Sequence, residues 1–288
     1  AHSKSYSQHL DSTMLSYRHA FHAGNYADVL KHLVLLKSLE YMLQKPGPLL
    51  YIDTHAGAGR YPLNSSMAQR THEHASGAGA LQFEGLSNHF EHYGQLLESY
   101  AHKGLYPGSP LIAAEILRPT DKLKLFELHP SDQPSLSKLF QADRRVSVSK
   151  SDGHHALKSL LPAPQKRALI LMDPSYEIKT EYQQVVESLS EGYKRMPTAT
   201  YLLWYPVVQR QNIDRMLKQF KSSKMRNVWQ FEFGLQADND EHGMTASGII
   251  AVNPAWTLPS LLVDALPGLK DQLAPDQGHF AINNIIPE

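Results

Sequence analysis

Leu169-Ile170-Leu171-Met172-Asp173-Pro174-Ser175-Tyr176 is four apolar residues followed by a carboxylate, a proline and, one residue later, an aromatic ring. A short, wholly apolar run reads as a strand covered on both faces. The proline ends it, because a residue before proline is pushed extended and proline offers no N–H to the ladder. Asp173 is therefore expected at the carboxyl end of a parallel strand, the edge where open α/β sheets hold ligands. A carboxylate accepts hydrogen bonds from an exocyclic amine, the Pro174 carbonyl is a second acceptor, and the Tyr176 ring can stack on a base. The stretch predicts a site for adenine or cytosine.

Composition bounds what this site can belong to. The chain has 288 residues, 42% apolar and 19% charged, ordinary for a globular protein with a full core. It has no cysteine, which excludes disulfides and thiolate chemistry and makes a reducing, cytoplasmic setting the expectation. Lys plus Arg is 28 and Asp plus Glu is 28, so net charge alone does not point to nucleic acid. Any basic patch must come from asymmetry in three dimensions, and the sixteen histidines can add charge only below neutral pH. No apolar run approaches the length of a membrane span, and the amino terminus carries no signal-peptide core.

Upstream, residues 1–13 are polar and aperiodic and are expected to be a disordered extension outside the fold. Val29, Leu30, Leu33, Leu36, Leu39 and Leu43 then recur at helical spacing, with Asn25 and Asp28 in a capping arrangement. His32, early on this helix, reads from its surroundings as a structural histidine. Leu49 to Asp53 is the expected first strand, and Gly57 and Gly59 directly after it let a nucleoside or phosphate approach the backbone. Pro62 stands where a dinucleotide fingerprint has its third glycine, which favours a nucleoside-type cofactor over NAD. Residues 62–104 break the alternation and are expected to form a small helical insertion with its own core of Leu86, Phe90, Tyr93 and Leu97. Tyr106 to Pro110 reads as a tight turn back to the main domain.

Downstream, strands are expected at 123–128, 146–148, 200–204, 228–233 and 246–252, with helices at 134–140, 182–195 and 210–220 between them. The last two strands can pair as an antiparallel hairpin. Acidic residues recur at strand ends: Glu127, Asp152 before Gly153, and Asp173. Strands alternating with helices argue for a mostly parallel sheet with helices on both faces.

Glycines after the first strand, an acid at the second, Asp152-Gly153 after the third and Asp173-Pro174-x-Tyr176 after the fourth are together similar to the ordered motifs of S-adenosylmethionine-dependent amino-methyltransferases. More closely, residues 14–288 resemble the RlmJ (DUF519-type) family of bacterial 23S ribosomal RNA adenine-N6 methyltransferases. The matching segments are Met14 to His19, Phe21 to Asn25, Asp53 to Tyr61, Tyr106 to Pro110, Glu127 to Pro130 and Met244 to Gly248.

The resemblance implies a Rossmann-like methyltransferase domain with a seven-stranded sheet and an inserted helical subdomain. It implies S-adenosyl-L-methionine as cofactor, held by the residues matching His32, His55, Gly57, Ser109, Glu127, Asp152, Gly153 and Asp173. It implies Asp173 as proton acceptor, with Pro174 and Tyr176 completing the catalytic motif, and Tyr17 with Tyr176 on the 23S ribosomal RNA substrate. One departure stands out: the family motif is Asp-Pro-Pro-Tyr, and Ser175 replaces its second proline, freeing a φ angle and restoring an N–H. No metal is expected, because the pairs His19 with His22 and His154 with His155 lack a third ligand at motif spacing. A monomer is expected. The alternatives are a DNA or small-molecule amino-methyltransferase, or a catalytically weakened RNA-binding protein that keeps the cofactor fold.

Overall fold

The computed structural model describes residues 17–241 and 243–288, so the expectation for residues 1–13 lies outside the described residues. The strands are β1 (Leu50–Asp53), β2 (Arg60–Pro62), β3 (Leu105–Pro107), β4 (Lys122–Phe126), β5 (Val146–Ser149), β6 (Ala168–Met172), β7 (Thr200–Val207), β8 (Val228–Gly234), β9 (Ala246–Val252) and β10 (His279–Ile286). The α-helices are α1 (Tyr26–Met42), α2 (Ser66–Thr71), α3 (Glu73–Ser76), α4 (Glu91–Ala101), α5 (Ser109–Ile116), α6 (Asp132–Leu139), α7 (Ala156–Leu160), α8 (Glu181–Arg195), α9 (Arg210–Lys221) and α10 (Leu258–Leu273).

Eight strands form one sheet in the order β10-β8-β9-β7-β6-β1-β4-β5, while β2 and β3 make a small antiparallel pair. β5, β4, β1, β6 and β7 run parallel. β9 pairs antiparallel with both β7 and β8, and β10 pairs antiparallel with β8. Side chains alternate across the sheet, which splits the apolar strands between two cores. Tyr51, Leu169, Leu171 and Leu202 join one with leucines of α1 and α10. Ile52, Ile170, Met172 and Leu203 join the other with α7, α8 and α9. Every residue of β6 is buried, as its unbroken apolar run requires.

The chain order reverses at β1, which has β4 on one side and β6 on the other. Beyond the carboxyl ends of these three strands lies the crevice where such sheets bind ligands. α1 crosses this region. Asn25 caps it by accepting from the Asp28 amide at 3.0 Å, as the sequence pattern predicts. Its first ten residues are all buried, so the polar side chains among them must find partners inside the protein.

Three features differ from the sequence reading. The sheet has eight strands, one more than expected, because β10 adds at its edge. α10 was not anticipated either: Pro267 lies inside it and Pro259 in its first turn, and prolines at that density read as helix breakers. Tyr106 to Pro110 is not a tight turn. It ends β3 and starts α5, with Gly108 at the cap, Pro110 in the first turn where its missing N–H costs nothing, and the Gly108 amide donating to Gly59 at 2.8 Å. Between β2 and β3 the chain runs through α2, α3 and α4, and Phe90, just before α4, with Tyr93 and Leu97 on it, is buried in the first core and not in a core of the insertion's own. No helix among the described residues is long and apolar enough to cross a membrane.

The amino ends of β1 and β4 are tied by one buried carboxylate. Asp121 accepts from the Leu49 amide at 2.9 Å and the Arg118 amide at 2.7 Å, and it pairs with the Arg118 guanidinium at 3.1 Å. Burial raises its pKa, but these donors outweigh it and hold the carboxyl below the usual range. Its contribution is therefore full at neutral pH and is lost as pH falls below the ordinary aspartate value. We predict that Asp121→Ala lowers stability by about 2–4 kcal/mol at pH 7, by urea denaturation, and that the difference shrinks toward pH 3.

Candidate active site

The loop after β1 is held open by its neighbours. The Thr54 amide donates to Leu171 at 3.1 Å and the Ala56 amide to Phe126 at 2.9 Å, so the chain leaves the sheet between β6 and β4. Gly57 and Gly59 then take φ of +67° and +88°, which L side chains rarely adopt. The Gly57 amide donates to Glu127 Oε1 at 2.8 Å, and the His129 amide to Oε2 at 2.9 Å. Burial pushes the Glu127 carboxyl up against the opposing pull of these two donors.

Asp152 follows β5 and accepts from the His154 amide at 2.9 Å, capping a short turn. Within that turn only glycine fits at 153, because a Cβ there would sit 1.9 Å from the Thr54 carbonyl oxygen. Ser109, the first residue of α5, donates to Asp53 at 2.7 Å, as does the Tyr51 hydroxyl at 2.7 Å. Burial pushes Asp53 up to about 6.

A cavity of about 370 Å³ opens over these strand ends. His32, His55, Gly57 and Ser109 line it from α1, the β1 loop and α5. Glu127, Asp152, Gly153 and Asp173 line it from the ends of β4, β5 and β6, and Tyr17 closes one side. Burial lowers His32 to about 3, and its Nδ1 is hydrogen-bonded to the Tyr106 hydroxyl at 2.7 Å. Burial, with His154 adding to it, lowers His55 to about 4. Both imidazoles are therefore neutral at physiological pH, while acids stand at the ends of four strands.

Asp173 is not alone at its strand end. Lys31 reaches from α1 to place Nζ 2.5 Å from Asp173 Oδ2 and 3.1 Å from Asp28, and it lies 5.3 Å from the Trp204 ring centroid. Burial opposes the ammonium, but the two carboxylates more than restore it, and its pKa is raised. Asp28 also takes the Gly24 amide at 2.8 Å and the His19 ring at 2.7 Å. Burial opposes its charge too, yet His19 and Lys31 hold its pKa well below the usual range. Asp173 Oδ1 has no hydrogen-bond partner among the described residues.

Tyr176 and Pro174 correct the reading that placed them beside Asp173 in the cavity. Neither lines it; Ser175 does. Tyr176 has φ of +56°, its amide donates to Glu181 Oε1 at 2.6 Å and its hydroxyl to the Trp204 carbonyl at 2.5 Å. The left-handed turn swings the ring into the second core, against Tyr182 with centroids 4.5 Å apart. Sequence reasoning gave Lys31 and Asp28 no role at Asp173. The available signal was two opposite charges three residues apart on an apolar helix, which must be paired if the helix is buried. His55, His154 and Glu181 each bring a potential metal-ligand atom within 4.8 Å of the others, and His154 is hydrogen-bonded to Glu181 at 3.0 Å.

Comparison with known proteins matches residues 46–286 to the family described as "Ribosomal RNA large subunit methyltransferase D, RlmJ". The Escherichia coli protein named "Ribosomal RNA large subunit methyltransferase J" is 48% identical over 280 residues, covering 96% of this chain and 100% of that one. The chain belongs to the RlmJ family. The Haemophilus influenzae member of the same name is 43% identical, with 96% and 100% covered. A crystal structure of a DUF519-type protein from Legionella pneumophila superposes with a TM-score of 0.85 at 35% identity, covering 91% of this chain and 98% of that one. Structural comparison at that level shows that the two chains share the fold described above.

Because Asp28 is buried and is shared by Lys31, the His19 ring and the Gly24 amide, removing it takes a partner from all three and leaves Lys31 with Asp173 alone. Asp28→Ala should cost about 3–5 kcal/mol in urea unfolding at pH 7, the range for breaking a buried pair. Asp28→Asn should cost less, since its amide oxygen can still accept from Gly24.

Proposed function

We propose that this chain transfers a methyl group from S-adenosyl-L-methionine to the N6 amine of an adenine in 23S ribosomal RNA. The observation that carries this reading is Asp173 in the same cavity as Glu127, Asp152 and Gly153, with Oδ2 engaged by Lys31 and Oδ1 free to accept. An RNA substrate of this kind implies a cytoplasmic setting, and we infer a monomer. We infer as well that the helices between β2 and β3 are an accessory insertion in the methyltransferase domain.

The residues present fit the cofactor. Glycine at 153, where a Cβ would meet the Thr54 carbonyl, lets the turn after β5 pack against the loop after β1, which sets Asp152 and Glu127 on the wall of one cavity. Glu127 can accept both ribose hydroxyls, and Asp152 can accept from the adenine amine of the cofactor. A sulfonium is cationic, and the cavity offers the carboxylates of Glu127, Asp152 and Asp173, with His32 and His55 uncharged at neutral pH. When bound, S-adenosyl-L-methionine supplies a methyl group already activated by that sulfonium.

An exocyclic adenine amine is a poor nucleophile because its lone pair is delocalised into the ring. A hydrogen bond from one of its protons to Asp173 Oδ1 favours a pyramidal nitrogen, which localises the pair. Asp173 takes the surplus proton as the N–C bond forms and passes it to solvent. Lys31 fixes the carboxylate by one oxygen, so the other is presented in a constant direction. Tyr176 acts here by anchoring the loop through Glu181 and Trp204. The second proline of the family motif is not needed for that anchor.

Two measurements test the reading. Glu127→Ala should weaken cofactor binding by about 1–3 kcal/mol through lost charged hydrogen bonds; unchanged calorimetric affinity removes Glu127 from the site. Asp173→Asn should be partly impaired, and Asp173→Ala should lose more than roughly a hundredfold in single-turnover methyl transfer to an RNA fragment, the lower end of what a positioned base contributes. A folded, cofactor-binding alanine variant that methylates at the wild-type rate overturns the assignment.

A further inference from the structure

Beside the cavity, the amino-terminal segment carries aromatic and cationic groups that methyl transfer does not use. Tyr17, on the cavity wall, is 36% exposed, and its ring lies parallel to that of His22, with centroids 5.7 Å and planes 11° apart. Phe21, half-buried, lies under the guanidinium of Arg70, whose Cζ is 5.6 Å from the ring centroid. Arg70 is exposed on the last turn of α2. Next to it the Thr71 hydroxyl donates to the Phe21 carbonyl, which ties α2 to this segment. His22 is hydrogen-bonded to Glu73 at 3.0 Å, and that bond raises its pKa against the effect of burial.

Arg18, Arg118, Arg145, Arg195 and Arg210 are each paired with a carboxylate, whereas Arg70, on the rim beside the Tyr17 segment, has no such partner among the described residues. A chain with equal numbers of acids and bases gains a positive surface where cations are left unpaired. A planar guanidinium already laid on a ring, beside a second pair of parallel rings, is the chemistry that receives an unstacked nucleotide: rings for the base, guanidinium for base face and phosphate.

We propose that Arg70 and Phe21, with Tyr17 and His22, form a stacking platform for an unpaired RNA nucleotide adjoining the target adenine. This rests on the RNA substrate reading above and adds the residues that grip the strand outside the catalytic cavity. It also gives α2, the first helix after β2, a part in substrate recognition. An adenine bound in the cavity must leave its stack, and its neighbour then needs a new surface to lie on.

The full-length chain and a short RNA hairpin with an unpaired adenine in its loop serve as the test, with affinity read by fluorescence anisotropy across a salt series. Arg70→Ala should weaken RNA binding about tenfold, the lower part of what one stacked base contributes. It should also reduce the salt slope by about 0.7–1, the value for one phosphate contact. Arg70→Lys should restore the slope without restoring the full affinity, because the charge returns but the planar surface does not. Phe21→Leu should weaken binding and leave the slope unchanged. In all three KM for RNA should rise, while kcat, calorimetric cofactor affinity and melting temperature hold. Wild-type affinity and slope in folded Arg70→Ala overturn the platform alone. A wild-type chain that binds no RNA overturns the substrate reading and the platform with it.

Discussion

The buried ammonium of Lys31, held between Asp28 and Asp173, is the contact on which the site depends. It joins the first described α-helix to the carboxyl end of the central strand β6, 142 residues later in the chain. Two carboxylates and one ammonium in a region nearly closed to water are costly to assemble, and apolar side chains of the same volume would serve stability equally well. What apolar side chains cannot do is fix a carboxylate by one oxygen. The arrangement therefore belongs to the chemistry of the site, and the fold around it is built to satisfy its remaining atoms. Gly24 and His19 complete Asp28, and Trp204 lies under the cation.

From this contact the placement of the other groups follows. α1 is buried along its first half, so His32, one residue after Lys31, is enclosed and pinned by Tyr106 in the middle of β3. Tyr106 in turn is hydrogen-bonded to Tyr93 of α4 at 3.1 Å, which connects the helices between β2 and β3 to the cavity wall. The same enclosure that charges Lys31 through its carboxylate neighbours discharges His32 and His55, which have none so close. One low-dielectric region thus yields a fixed cation, fixed anions and neutral imidazoles, according to what each group touches.

Legibility in the sequence followed the range of the interaction. β6 was readable because four apolar residues before Asp-Pro carry their meaning locally, and Glu127 and Asp152 were readable because each follows its own strand. The Asn25 cap was readable at a spacing of three residues. Lys31 was not, since its partner at Asp173 becomes adjacent only when α1 packs over the sheet edge. α10 was hidden by Pro267, which the buried Leu262, Leu266 and Leu269 override through packing. β10 was hidden because an edge strand with Asn283 and Asn284 exposed has no apolar alternation to show.

Tyr176 marks where pattern reading stops for a physical reason. Spacing from Asp173 says that a ring stands nearby, but a single backbone dihedral decides the side of the sheet to which it turns. At φ of +56° the amide meets Glu181 and the ring joins the second core. Glu181 is also the partner of His154, which follows Gly153 on the cavity wall after β5. The loop carrying Asp173 and the turn carrying Asp152 are thus joined by one carboxylate and one imidazole. A change in either turn is transmitted to the other through two hydrogen bonds. The cavity walls carried by the ends of β6 and β5 are therefore one mechanical unit, although they arise from different strands.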